Sequence, residues 1–423
     1  MVETSSGSLR KAIKLRNAVA LYASSVLGSG ILILPGLAAK IAGPASLIAW
    51  LLLSLASYPF AYTFATLSAR HPESGGVYSF ARESFGFRVA TVIGWLFMLW
   101  EITGAPAVTL IAASYLAYAF PLSRAETFVI AGGVIFLGFL VNYRGIVLSN
   151  RVQLAVIGSI IVLLVATIAA SFLFVKVDNF FPFFPSGLFP IGTAASLIFW
   201  SYLGYENVSN VAEEFENPKR DFHRSIVLSA TLIGLLYVLV AFVTIGTFAY
   251  NAGGSDAPFA AILSHILGQY GAAGTALLAV FIIFGTVNAY TTGMSRVFYS
   301  VAKDGGFPKT LAHINNKTKV PDRALIAPFA CILPVMLAFY MFNVDLETAL
   351  LIPSGAAIMI YVIGCASGIK LLGKKRGCGK EKWFPWISFL ISLVVLPFVG
   401  PWLVVSLIVA AVALAYSTVK RSV

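Results

Sequence analysis

Apolar runs of about twenty residues follow one another along almost the whole chain, with short polar stretches between them. A helix needs ~20 such residues to cross a bilayer, and in hydrocarbon its backbone N–H and C=O groups must bond within the segment. The runs lie at about 17–40, 44–68, 90–119, 125–142, 150–175, 190–211, 225–250, 273–300, 323–342, 346–370, 383–399 and 401–419. Only Gly400-Pro401 parts the last two, which predicts a tight hairpin. A soluble fold is excluded by composition. The chain is 59% hydrophobic and 11% charged, whereas soluble domains run to about 45–50% apolar and ~25% charged. The expectation is an all-α membrane protein of twelve transmembrane helices with the lipid bilayer as its surroundings.

Twelve spans put both termini on one side, and the basic residues say which. Of the 29 Lys and Arg, only Lys40, Arg124 and Lys176 fall on the side opposite the termini. Short loops rich in Lys and Arg stay in the cytoplasm, so N- and C-termini are expected there, in a multi-pass cell-membrane protein. The same asymmetry accounts for the net charge of +12 as a topology signal, which removes the case for a nucleic-acid partner. No stretch between spans approaches domain size, so residues 1–423 read as a single transmembrane domain. The polar N-terminus enters its first apolar run without a small-residue cleavage site, so that helix is expected to remain. Cys331, Cys365 and Cys378 show neither disulfide nor metal spacing, and His71, His223, His265 and His313 read as loop residues. No cofactor motif, P-loop or paired metal ligand appears, so neither cofactor nor metal is expected.

Two spans are interrupted. The first carries Gly28-Ser29-Gly30 in its middle, with Pro35 beyond. Each glycine inside a helix costs about 1 kcal/mol. Alone, the pattern fits a small-residue packing face as well as a break. The sixth span, with Gly204 mid-run and Glu206 beside it, favours the break. Interrupted helices five spans apart mark an inverted-repeat architecture, because five crossings reverse the direction of the chain, and the site then lies near the midplane. The repeats are expected at about 15–175 and 190–372, with two extra helices at about 383–419. Such breaks suit a zwitterion: free N–H groups at a half-helix N-terminus attract a carboxylate, and free carbonyls accept from an ammonium.

Four segments, in order, carry a family resemblance: Gly28-Ser29-Gly30-Ile31 with Pro35; residues 71–86, HPESGGVYSFARESFG; Phe199-Trp200 through Gly204-Tyr205-Glu206 to Glu216-Asn217-Pro218-Lys219-Arg220-Asp221; and Ser295-Arg296 through Ala302-Lys303-Asp304-Gly305-Gly306-Phe307-Pro308. With the helix count, they make the chain resemble the amino acid–polyamine–organocation (APC) superfamily of transporters. The resemblance implies a LeuT-like 5+5 inverted-repeat core and a secondary active transporter, not an enzyme, that moves amino acids by alternating access. It also implies roles for particular residues. Gly28, Ser29 and Gly30 would bind the substrate carboxylate. The carbonyls of Trp200 and Leu203, beside Gly204, would receive the amino group. The Trp200 ring would be a lid, Tyr290 would line the pocket, and Tyr78 would act in gating and pH response on the cytoplasmic side. Two departures stand out. The lysine that some proton-coupled members carry in the fifth helix is missing, since Val152 to Val175 holds no Lys, Arg, Asp or Glu. Ala105, with Gly104 and Pro106, lies near where some arginine-specific members carry a polar pocket residue.

Glu101 and Glu206 are the acids deep within predicted spans, where charge is expensive and functional by default. Both are candidate proton carriers. Glu206 could equally be a fixed partner of the break, and Glu101 could instead contact substrate. One acid in the pocket region favours neutral amino acids over a polyamine or other organocation, which would want several. A non-transporting amino-acid sensor would be expected to carry a signalling extension, and both tails are short. Import or export, and coupling by proton, sodium or exchange, stay open at the level of sequence.

Overall fold

The computed structural model describes residue 19 and residues 26–70, 76–145, 150–205, 218–251, 254–318, 320–373 and 382–421. All regular structure among them is helical: α1 (Gly30–Ala42), α2 (Ser46–Arg70), α3 (Val77–Phe85), α4 (Phe87–Ala119), α5 (Arg124–Tyr143), α6 (Asn150–Ser171), α7 (Phe189–Ile198), α8 (Pro218–Gly246), α9 (Pro258–Lys303), α10 (Asp322–Met341), α11 (Leu346–Gly373), α12 (Trp383–Val395) and α13 (Leu403–Arg421), with short 3₁₀ turns between some of them.

Nine stretches of the described residues are long and apolar enough to cross a membrane. Two of the nine each contain two helices. Gly30–Ser68 turns at Gly43, whose φ is +60°, and Trp383–Val419 turns at Gly400, whose φ is +69°. Glycine adopts these conformations without the steric cost of a Cβ, so a continuous apolar run breaks into two helices there. A third long stretch, Pro258–Lys303, is kinked at Gly268. The sixth apolar run is absent from the nine because its helix α7 stops after ten residues.

Burial separates an inner set from an outer one. The apolar window of α4 is 89% buried, against 22% for Trp383–Val419. The largest interface joins α4 to α9, and α11 packs on α4 as well. Helices α5, α6 and α10 turn most of their apolar surface outward. That arrangement suits a chain whose outer surface meets lipid tails, where outward Leu, Val and Phe need no polar cover. Helix α5 begins at Ser123 with a reciprocal cap: Ser123 N–H donates to Glu126 Oε2 at 2.7 Å, and Glu126 N–H to Ser123 Oγ at 3.3 Å. Of the histidines, His265 lies within α9 and His223 within α8, so neither is a loop residue. His313 does lie in a loop, 2.7 Å from the Asp322 carboxylate.

Candidate functional site

Val26 is helical, Leu27 and Gly28 bend the chain, and Ser29, with φ −60° and ψ −30°, leads into α1 at Gly30. Ser29 is the N-cap of α1 and makes no side-chain cap bond. The first N–H groups of a helix have no partner within it, so this end of α1 is a set of donors with a positive dipole. The second break has a different form. Helix α7 tightens into a 3₁₀ turn at Phe199–Tyr202, Leu203 is extended (φ −74°, ψ 150°), and Gly204 has φ +121°. An L side chain rarely adopts that last angle, so the break depends on a glycine there.

The two breaks pack on each other. A Cβ at Gly30 would stand 3.2 Å from Ser201 Cα and 2.6 Å from Ser201 Oγ, so the backbones meet closely only because residue 30 has no side chain. Tyr237, fully buried on α8, places its hydroxyl 3.1 Å from the Val26 carbonyl and 3.1 Å from the Ser201 carbonyl. One phenol thereby serves a carbonyl of each broken helix. Tyr202 is fixed to α2 through Ser54 Oγ at 2.6 Å.

Between the breaks and the pair α4/α9 lies a cavity that is partly open to solvent. Ser29 and Trp200 line it from the breaks. Trp100, Glu101, Gly104, Ala105 and Val108 line it from α4, and Thr286, Val287, Tyr290 and Thr291 from α9. The α4 residues recur at helical spacing, as do those of α9, so each helix presents one face. Trp100 is the hub of the aromatic wall. Its ring meets Trp200 edge-on at 5.8 Å and Tyr290 edge-on at 5.8 Å. Edge-to-face packing at this distance is the favourable geometry for such rings. Glu101, 7% exposed, accepts a hydrogen bond from Thr291 Oγ1 at 3.4 Å, which links α4 to α9 across the cavity.

The residues singled out from the sequence do not all come together. Ser29, Trp200, Tyr290 and Glu101 meet at the cavity. Gly28, Gly30, Leu203 and Gly204 shape the breaks without lining it, and the Trp200 carbonyl already accepts from Leu203 N–H at 3.3 Å, leaving one lone pair. Tyr78 lies elsewhere, on α3, where its hydroxyl donates to Asp304 Oδ2 at 3.0 Å and Arg82 pairs with the same carboxylate. Burial, and then the Asp304 charge and hydrogen bond, hold the Tyr78 phenol well above its ordinary range. Glu206 is outside the described residues, as is most of the segment around it. Trp100, Val108 and Val287 were missed. Their signal was present as spacing, since Trp100, Gly104 and Val108 are four residues apart, but apolar residues at helical spacing in a membrane helix more often face lipid or a neighbour. Among the described residues no group of His, Cys, Asp or Glu could hold a metal ion.

A family model for amino acid permeases matches residues 13–422. The amino acid permease YecA of Bacillus subtilis is 34% identical over 97% of this chain and 96% of its own length. The L-methionine/branched-chain amino acid exporter of Escherichia coli is 30% identical, covering 93% and 92%. The branched-chain amino acid permease BcaP of Bacillus subtilis is 28% identical, covering 74% and 72%. These relatives are transporters, not enzymes. The match along nearly the full length, together with the many apolar helices, places the chain in the amino acid permease family of the APC superfamily, as a multi-pass membrane protein of amino acid transport.

Proposed function

We propose that this protein is a secondary active transporter of neutral amino acids working by alternating access in the cell membrane. In this reading twelve helices span the bilayer with cytoplasmic termini, and two inverted repeats, residues 15–175 and 190–372, place one interrupted helix each at the midplane. The observation that carries it is the cavity against both breaks, walled by Trp100, Trp200, Tyr290, Val108, Val287 and Ala105 and holding, among the described residues, one carboxylate, Glu101. The substrate carboxylate takes the N–H groups at the start of α1 around Gly28, Ser29 and Gly30. The ammonium takes the free lone pair of the Trp200 carbonyl and the Leu203 carbonyl, which Gly204 turns aside. The side chain then faces the apolar part of the wall, where burying a CH₂ is worth about 0.8 kcal/mol. Trp200 covers the site, Tyr78 gates the cytoplasmic side, and Glu101 carries a coupled proton. The named activities of the methionine/branched-chain exporter and of the branched-chain permease point the same way.

A second reading rests on the same wall. Three aromatic rings with one carboxylate also make a receptor for an organic cation. A thermal-shift screen of the purified protein against the twenty amino acids and common polyamines decides between them, because a ligand of the folded state raises its melting temperature by mass action. Leucine, methionine or valine should stabilise the protein. Stabilisation by arginine or putrescine alone would select the cation reading.

A further inference from the structure

The Trp200 indole rests on bare backbone at both ends. A Cβ at Gly30 would stand 3.0 Å from its Cδ1, and a Cβ at Gly104 would stand 3.0 Å from its Cη2. Cδ1 belongs to the five-membered ring and Cη2 to the far tip of the six-membered ring, so the two glycines hold opposite ends of one side chain. Gly30 and Trp200 both belong to the interrupted helices that Tyr237 ties together. Gly104 belongs to α4, across the cavity. A Cβ at Gly104 would also stand 3.3 Å from Trp100 Cδ1, so a methyl there has an indole on two sides and the cavity on the third.

We propose that Gly104 is the seat of the Trp200 ring and sets the largest substrate side chain that fits beneath it. The proposal rests on the reading of this cavity as the amino-acid site. The Gly30 contact bars the ring from retreating along its length, so a methyl at residue 104 leaves two outcomes. Either the ring tip swings into the cavity, or the methyl itself occupies cavity space. Both shorten the room for a side chain, and neither touches the groups that would hold the ammonium and carboxylate. Large substrates are therefore lost before small ones.

The test is isothermal titration of the purified full-length protein with alanine, leucine and methionine, for wild type, Gly104→Ala and Gly104→Ala/Trp200→Phe, and with leucine and phenylalanine for wild type and Trp200→Phe. Gly104→Ala should lose about tenfold or more in leucine and methionine affinity and about threefold or less in alanine affinity, the scale that one methyl commands in a fitted pocket. Phenylalanine lacks the indole tip, so the second substitution should recover leucine affinity relative to Gly104→Ala. Trp200→Phe alone adds no atoms and should raise the affinity for phenylalanine relative to leucine, a comparison that survives if Gly104→Ala does not fold. Equal loss of all three substrates, no recovery in the double variant, or an unchanged phenylalanine-to-leucine ratio in Trp200→Phe overturns the seat alone. A wild type that binds none of them overturns the underlying transport reading and the seat with it.

Discussion

Gly204 and Gly30 do different work at the breaks, and the difference predicts different phenotypes. Gly204 is needed for its backbone angle, φ +121°. Gly204→Ala puts a Cβ into a region that L residues avoid, at a cost of about 1–3 kcal/mol, and should lower the melting temperature of the unliganded protein along with substrate affinity. Gly30 is needed for space, since its Cβ would meet Ser201 Cα at 3.2 Å and Trp200 Cδ1 at 3.0 Å. Gly30→Ala should separate the breaks and weaken substrate binding by about tenfold, with a smaller loss of stability than Gly204→Ala, as read by calorimetric titration beside a thermal melt. Both glycines stand out in the sequence because glycine inside an apolar run is costly and needs a reason. Trp100 does not stand out. Its place at the centre of the aromatic wall depends on which face of α4 meets α9, and that is a long-range fact that no local pattern encodes.

At the scale of elements, two tyrosines join helices far apart in sequence. Tyr237 reaches the Val26 and Ser201 carbonyls with one hydroxyl. Tyr237→Phe leaves two buried carbonyls without that donor and should cost about 1–3 kcal/mol of unfolding free energy, measurable by denaturation in detergent. Nothing in the apolar run around Tyr237 announces this role, since a tyrosine there reads equally well as packing or as an interface anchor. Tyr78 joins α3 to the residue just beyond α9 through Asp304. Its phenol is held above its ordinary range by burial and by the Asp304 carboxylate, so it stays a protonated donor at neutral pH. Tyr78→Phe should therefore change the rate of uptake while leaving the shape of its pH profile between about pH 5.5 and 8 as in wild type. A flattened profile in that variant would give Tyr78 the proton-linked role. The helices themselves were legible as apolar runs, and so was the turn at Gly400. The break after α7 was legible at Gly204, but the 3₁₀ turn at Phe199–Tyr202 that precedes it was not, because the apolar character of 190–211 continues through it.

At the scale of the whole molecule the cavity has to serve a transport cycle. A carrier must expose its site to each side in turn, and a proton-coupled one needs a group that is charged on one side and neutral on the other. Glu101 is the acid at the cavity, bonded across it to Thr291. Glu101→Gln keeps the shape and the bond to Thr291 but cannot ionise, so it should retain substrate binding and lose the pH dependence of uptake into proteoliposomes. A wild-type pH profile in that variant would remove Glu101 from coupling and leave exchange as the mode of transport. The central claim, carriage of neutral amino acids, is tested most directly by counterflow. Proteoliposomes loaded with unlabelled leucine, methionine, arginine or no amino acid are diluted into labelled leucine, and the label taken up is counted. Internal leucine and methionine should drive uptake, and internal arginine should behave like empty vesicles. Uptake driven by arginine, or the same low uptake in all four, would contradict the claim.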